Sequence, residues 1–230
     1  MEHKIEGKAF QILKIRLAKD DEIIAEPGLM NWMTDNIEVK TKMDGGLENT
    51  LKRVITQESI FLVSFKAIGD EGYLCFSKSC VGEIIQFRLK EGEEIYCQKE
   101  AFLCGEKSIK IEPHLMKDIL TGISGGEGFI IQKIIGPGKV FVYLEGLVNE
   151  KKLEQGQKLK VKNGNIGVYE SSCKLSTEFS GTVNSLFSQH GFFYVVVEGP
   201  GKVWLQTTSL NRSIIPLPNG LSIPKLLPNI

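Results

Sequence analysis

Histidine is scarce in this sequence, with only His3, His114 and His190, the first of them next to the amino terminus. An open metal site of the kind small β-barrel enzymes use needs a His-x-His or His-x-Asp pair plus a further histidine. No such pair occurs. An excess of charge of one sign is also missing, because 28 Lys+Arg balance 28 Asp+Glu. That removes the long-range field by which most nucleic-acid binders gather phosphate, and any general attraction to anionic lipid. Long apolar runs are absent. The longest, such as residues 191–197, fall far short of the roughly 20 residues a membrane-spanning helix requires. The first ten residues alternate charge with short apolar pieces and hold no apolar core of a secretory signal. The five cysteines are odd in number, contain no C-x-x-C pair and lie mostly within apolar runs, so they read as reduced core residues of a cytoplasmic protein. A chain of 230 residues can bury about 70% of its surface without a disulfide or metal to hold it.

What the sequence does have is internal similarity. Residues Gly128 to Tyr143 and Gly191 to Gln206 align without a gap at an offset of 191 − 128 = 63. They share a Gly-Phe start, a Gly-Pro-Gly-Lys-Val centre and apolar positions on both sides. A weaker third copy, Glu58 to Leu74, has the same apolar strand, glycine-bearing turn and apolar return. A second element lies ahead of each hairpin and also recurs, as strand, tight turn, strand, starting at Ile23, Ile95 and Leu159. Periodic self-similarity changes the reading of the whole fold. It predicts one all-β domain over residues 1–210 made of three units, about 8–80, 81–146 and 147–210.

Within each unit β-branched and aromatic runs bounded by glycine predict strands, for example 60–65, 84–89, 129–135, 140–144, 192–197 and 203–207. Pro-Gly at 137–138 and at 200–201 predicts type II turns, with proline at the second position and glycine at the third. Two short helices are expected. One begins at Asp44 and carries Leu47, Leu51, Val54 and Ile55; the other begins at Pro113 and carries Leu115, Ile119 and Leu120. After residue 210 the composition changes: residues 211–230 hold four of the eight prolines and predict an extended arm.

The Ala25-Glu-Pro-Gly-Leu-Met30 turn, Gly45-Gly46 before a short helix, Glu58-Ser-Ile-Phe61, Ala101-Phe-Leu103, Gly136-Pro-Gly138 and the stretch Gly199 to Thr207 resemble the mitochondrial biogenesis ("altered inheritance of mitochondria") family, here a prokaryotic member. The likeness runs from about residue 8 to 210, and the order and spacing of the motifs make it specific. It implies an all-β fold like that of the tryptophan RNA-binding attenuation protein, a double-stranded β-helix with three tandem units in pseudo-threefold arrangement. It brings no catalytic residues and no cofactor. Residues 150–161 and Asn163-Gly164-Asn165 depart from the family's pattern, which has an acidic turn there.

Candidate chemistry is thin. Ser188-Gln-His190 and Ser124-Gly-Gly126 lack a strand, elbow and helix around the serine. Gly136-Pro-Gly138 has a proline where a phosphate cradle needs a backbone donor. Cys75 with Cys80, and Cys97 with Cys104, are separated by odd numbers of residues, which on one strand would place them on opposite faces. Acidic clusters flank turns. The densest basic run puts Lys158, Lys160 and Lys162 on one strand face, the only candidate nucleic-acid face, and no aromatic stacker stands among them. Leu29, Met30 and Trp32, after the Glu26-Pro27-Gly28 turn, are the candidate interface; Trp204 reads as core.

The expectation is therefore a non-enzymatic binding or scaffold protein, without cofactor or metal, acting as a homo-oligomer through exposed strand edges. Nucleic acid is disfavoured as a partner. Two alternatives stay open, an RNA-binding regulator and a small-molecule-binding β-barrel.

Overall fold

In a computed structural model the described residues are 1–42, 61–115, 130–162, 164–180 and 192–207. They form nineteen strands and no helix. The first seven are β1 (Glu2–Glu6), β2 (Ile12–Ala18), β3 (Glu22–Ala25), β4 (Met30–Met33), β5 (Ile37–Lys42), β6 (Leu62–Ala67) and β7 (Glu71–Ser77). There follow β8 (Gly82–Leu89), β9 (Glu94–Gln98), β10 (Phe102–Glu106), β11 (Lys110–Leu115), β12 (Ile130–Ile135) and β13 (Gly138–Glu145). The last six are β14 (Val148–Leu153), β15 (Lys158–Lys162), β16 (Ile166–Glu170), β17 (Lys174–Ser180), β18 (Phe192–Glu198) and β19 (Gly201–Gln206).

These strands make four antiparallel sheets, in the orders β1-β2-β7-β4, β5-β6-β3-β10-β13-β8, β11-β12-β9-β16-β19-β14 and β15-β18-β17. One pairing scheme runs through all four. Strands β2, β7 and β4 lie side by side, as do β8, β13 and β10, and then β14, β19 and β16. Strands β5, β6 and β3 form a second kind of triplet, matched by β11, β12, β9 and by β17, β18, β15. Each six-stranded sheet joins one triplet of each kind through a single contact, β3 with β10 in one and β9 with β16 in the other. The β-bulge recurs at the same place, between Met30 and Trp32, Phe102 and Cys104, and Ile166 and Val168.

Burial follows from which faces are covered. In β2, Leu13, Ile15 and Leu17 are buried while Arg16 and Ala18 are exposed, the period-2 pattern of a sheet wet on one side. Strand β13 reads apolar from Val140 to Leu144 because both of its faces are covered there. Phe141 and Tyr143 enter a first cluster with Leu13, Ile15 and Phe76, and Val140, Val142 and Leu144 enter a second with Phe102, Cys97 and Trp204. A third cluster gathers Ile131, Val161, Tyr169, Val195, Val197 and Val203.

Two sequence expectations are corrected, and two lie outside the described residues. The hairpin turns are not type II: Gly136–Pro137 and Gly199–Pro200 are cis, and Gly138 and Gly201 take φ +147° and +141°, where type II calls for about +80° after a trans proline. The glycine before each proline has a packing reason of its own, since a Cβ on Gly136 would stand 2.2 Å from the Lys90 carbonyl oxygen and one on Gly199 2.5 Å from that of Glu154. The helix expected from Pro113 is not there at its start: residues 113–115 belong to β11, paired with β12 as Pro113↔Gln132, His114↔Ile131 and Leu115↔Ile130. Pairing to a neighbouring strand overrides the local helical spacing. The rest of that helix, the one expected from Asp44 and the 211–230 arm lie outside the described residues.

Candidate interface at the open sheet edges

Strand β4 follows a turn whose Gly28 sits at φ +82°, open to solvent where a Cβ would go. Beyond it the chain pairs with β7 as Met30↔Phe76, Trp32↔Cys75 and Met33↔Leu74. Leu29 and Met30, two of the three residues of the expected interface, are half-buried and pack against the first cluster. Trp32 does not: it is 43% exposed, and Met33, which the sequence reading did not single out, is 37% exposed. Neighbouring polar groups hold the strand in place. Asn31 Nδ2 donates to Ser77 Oγ at 3.0 Å, and Thr34 Oγ1 accepts from the Tyr73 amide at 3.1 Å. Strands β10 and β16, placed as β4 is, have their first four residues buried. The difference is one neighbour. Strands β10 and β16 are flanked on both sides, and β4 ends its sheet.

Strand β15 ends the last sheet in the same way. Its lysines do share the outer face: Lys158, Lys160 and Lys162 are exposed, Leu159 is half-buried and Val161 is buried in the third cluster. Two of the three carry acidic partners, with Lys158 Nζ 3.2 Å from Glu198 and Lys160 Nζ 2.5 Å from Glu178. Both acids lie within the same sheet, and much of the strand's positive charge is met there. The lysine face and the Trp32 edge lie in different sheets of the chain.

Within and between the six-stranded sheets, polar side chains are satisfied across long chain separations. Gln132 Nε2 donates to Glu26 Oε1 at 2.9 Å, and Gln206 Nε2 donates to Gln98 Oε1 at 2.6 Å. Burial raises the Glu26 carboxyl above its ordinary range, against the lowering effect of the Gln132 hydrogen bond. Burial likewise pushes up the thiols of Cys75, Cys80, Cys97, Cys104 and Cys173, which makes them poor nucleophiles and poor ligands. None is in a disulfide. Cys97 and Cys104 lie on different strands, β9 and β10, so the single-strand spacing argument does not describe them; burial does. Among the described residues no group of three His, Cys, Asp or Glu is placed to hold a metal ion. Trp204 is core, with its ring edge-on to Phe87 at 4.8 Å and its Nε1 donating to Glu150 at 3.0 Å.

The family model described as mitochondrial biogenesis AIM24 matches residues 3–208. The chain belongs to that family. This AIM24 chain is also similar in structure to the crystal structure of protein SPYM3_0169 from Streptococcus pyogenes, with a TM-score of 0.74 over 91% of this chain and 94% of that one. At 17% identity the likeness establishes the all-β fold. No curated protein matches the chain. Among the described residues of this AIM24 protein no helix is long and apolar enough to cross a membrane.

Proposed function

We propose that this AIM24 protein is a non-enzymatic scaffold or binding module that works as a homo-oligomer in the cytoplasm. The observation that carries the reading is Trp32 with Met33, exposed on a sheet-ending strand whose two counterparts are buried. Exposed aromatic and methionine side chains are what the centre of a protein interface is enriched in. Five cysteines without a disulfide fit a reducing compartment. The three recurring sets of strands support a division into units of about 8–80, 81–146 and 147–210, arranged as in the tryptophan RNA-binding attenuation protein. RNA binding draws less support from the lysine strand than its sequence suggested, because Lys158 and Lys160 are already paired. Native mass spectrometry on protein taken gently from its own host tests the reading. A multimer carrying no further mass is expected. A single chain, or bound nucleotide, RNA or small molecule, would refute it in favour of the corresponding alternative.

A further inference from the structure

We infer that β15 of one copy of this chain pairs antiparallel with β4 of a second copy, joining two triplets as the chain does twice within itself and making, with β1, the seven-stranded sheet β17-β18-β15-β4-β7-β2-β1. The inference rests on the homo-oligomer reading above and specifies its surface. Within the chain, a triplet ending in β3 meets one ending in β10, and a triplet ending in β9 meets one ending in β16. The triplet β17-β18-β15 and the triplet β2-β7-β4 are the two left over. Among the described residues one lacks its neighbour at β15, the other at β4.

Register follows from the two junctions present. Ala25 faces Cys104, Ile24 faces Gly105 and Ile23 faces Glu106; Cys97 faces Val168, Tyr96 faces Tyr169 and Ile95 faces Glu170. The shared bulge aligns Trp32 with Cys104 and Val168, and the shared pairing to the inner strand aligns Val161 with Ala25 and Cys97. The third junction therefore sets Val161 against Trp32, Lys160 against Met33 and Leu159 against Thr34.

Backbone direction agrees from both sides. Along a strand successive residues turn their amide and carbonyl to alternate neighbours. The Gln157 carbonyl accepts from Gly199, next to β18, so Lys158 and Lys160 point theirs to the open edge. The Thr34 amide donates to the Tyr73 carbonyl on β7, so Met33 points to the open edge of β4. Lys160 and Met33 are thus the hydrogen-bonding pair, and Val161 and Trp32 the close pair without hydrogen bonds. On the side chains, Val161 belongs to the third cluster, and the indole of Trp32 would extend that cluster as Cys104 extends the first beside Ala25 and Val168 the second beside Cys97.

Lysines and bulges are also devices by which sheet edges avoid pairing. Here the bulge is no obstacle, since β10 and β16 carry it and are paired on both sides. The lysine heads lie on one face of the sheet, against Glu198 and Glu178, and leave the backbone edge open. The contact is heterologous, a different surface on each copy, so it closes a ring or extends a filament according to the rotation between copies.

The test uses the full chain in light scattering after gel filtration, together with cysteine cross-linking. Wild type is expected as a multimer. Lys160→Pro removes the donor at the open edge and no donor to β18, and is expected to run as a single chain with an unchanged circular dichroism spectrum. Lys160→Thr, which keeps the donor and loses the Glu178 pair, is expected to remain a multimer. Val161→Cys mixed with Trp32→Cys is expected to form a disulfide between different chains under mild oxidation, in excess over either variant alone. A monomeric wild type defeats this inference and the oligomer reading together. A multimeric wild type whose Lys160→Pro variant folds and keeps its mass, or whose mixed cysteines do not link, overturns the inference and leaves the oligomer standing. A Trp32→Cys/Val161→Cys double variant that links within one chain also overturns it, by showing that the two edges meet inside the molecule.

Discussion

Glu26 Oε1 accepts a 2.9 Å hydrogen bond from Nε2 of Gln132, a residue 106 positions away, and so ties the turn after β3 to β12. Burial raises this carboxyl's pKa, chiefly by making the charged form costly. The folded protein then keeps the proton to a higher pH than the unfolded chain does. Unfolding releases that proton, so this group's contribution favours folding at low pH and is lost as pH rises from about 4.5 through the raised folded value. Glu26→Gln keeps an acceptor for Gln132 and removes the titration. Urea melts of both proteins from pH 4 to pH 8 should show the variant gaining on wild type as pH rises; parallel curves would contradict the assignment.

Phe141 is fully buried, touches His3 edge-on at 4.9 Å and belongs to a sheet covered on both faces. Phe141→Ala should cost about 3–5 kcal/mol, the usual loss for a buried phenyl group with its residual cavity. That is a large part of the total stability of about 5–15 kcal/mol expected of a domain. Equilibrium unfolding in urea measures it.

Gly136 and Gly28 should separate two reasons for glycine. At Gly28 a methyl meets nothing within 4 Å, and the cost of Gly28→Ala is the left-handed backbone alone, about 1–2 kcal/mol. At Gly136 the methyl would strike the Lys90 carbonyl at 2.2 Å, a backbone atom that cannot swing aside. Gly136→Ala should lower the thermal midpoint by more than Gly28→Ala does.

Four of the five cysteines are buried and Cys80 is half-buried. Titration with an aromatic disulfide at pH 8 should show Cys80 reacting first and the others only on the timescale of unfolding. Cys80→Ser should remove the early phase. Prompt reaction of several thiols would contradict the packing of the first two clusters.

The two tryptophans report on different parts of the molecule. Trp204→Phe leaves Trp32, at 43% exposed, open to iodide quenching, whereas Trp32→Phe leaves Trp204, at 8%, shielded. Quenching of the Trp32-only protein should fall as concentration rises and copies assemble, and that of the Trp204-only protein should stay flat.

The sequence by itself determined the all-β class of the fold. Glycine-bounded β-branched runs become strands because pleated, half-covered surfaces suit those side chains, and the Gly-Pro-Gly-Lys-Val hairpins sit where the alignment puts them, at β12–β13 and β18–β19. Trp204 and Trp32 both follow a Pro-Gly turn in sequence, and the fold buries the first and exposes the second. Tertiary structure decided the rest. Leu29 and Met30 look like Trp32 in sequence, yet they pack on the first cluster, ahead of the bulge that separates Met30 from Trp32. The lysines of β15 look like a basic patch until β17 and β18 bring Glu178 and Glu198 beside two of them. Residues 113–115, the start of a helical pattern in the sequence, pair with β12 as strand, since a ladder with a distant partner outweighs local spacing there. Most of all, a strand's sequence records which residues suit a pleated surface and not whether a neighbour lies alongside. Three similar turn-and-strand elements therefore fold into two flanked strands, β10 and β16, and one that ends its sheet, β4.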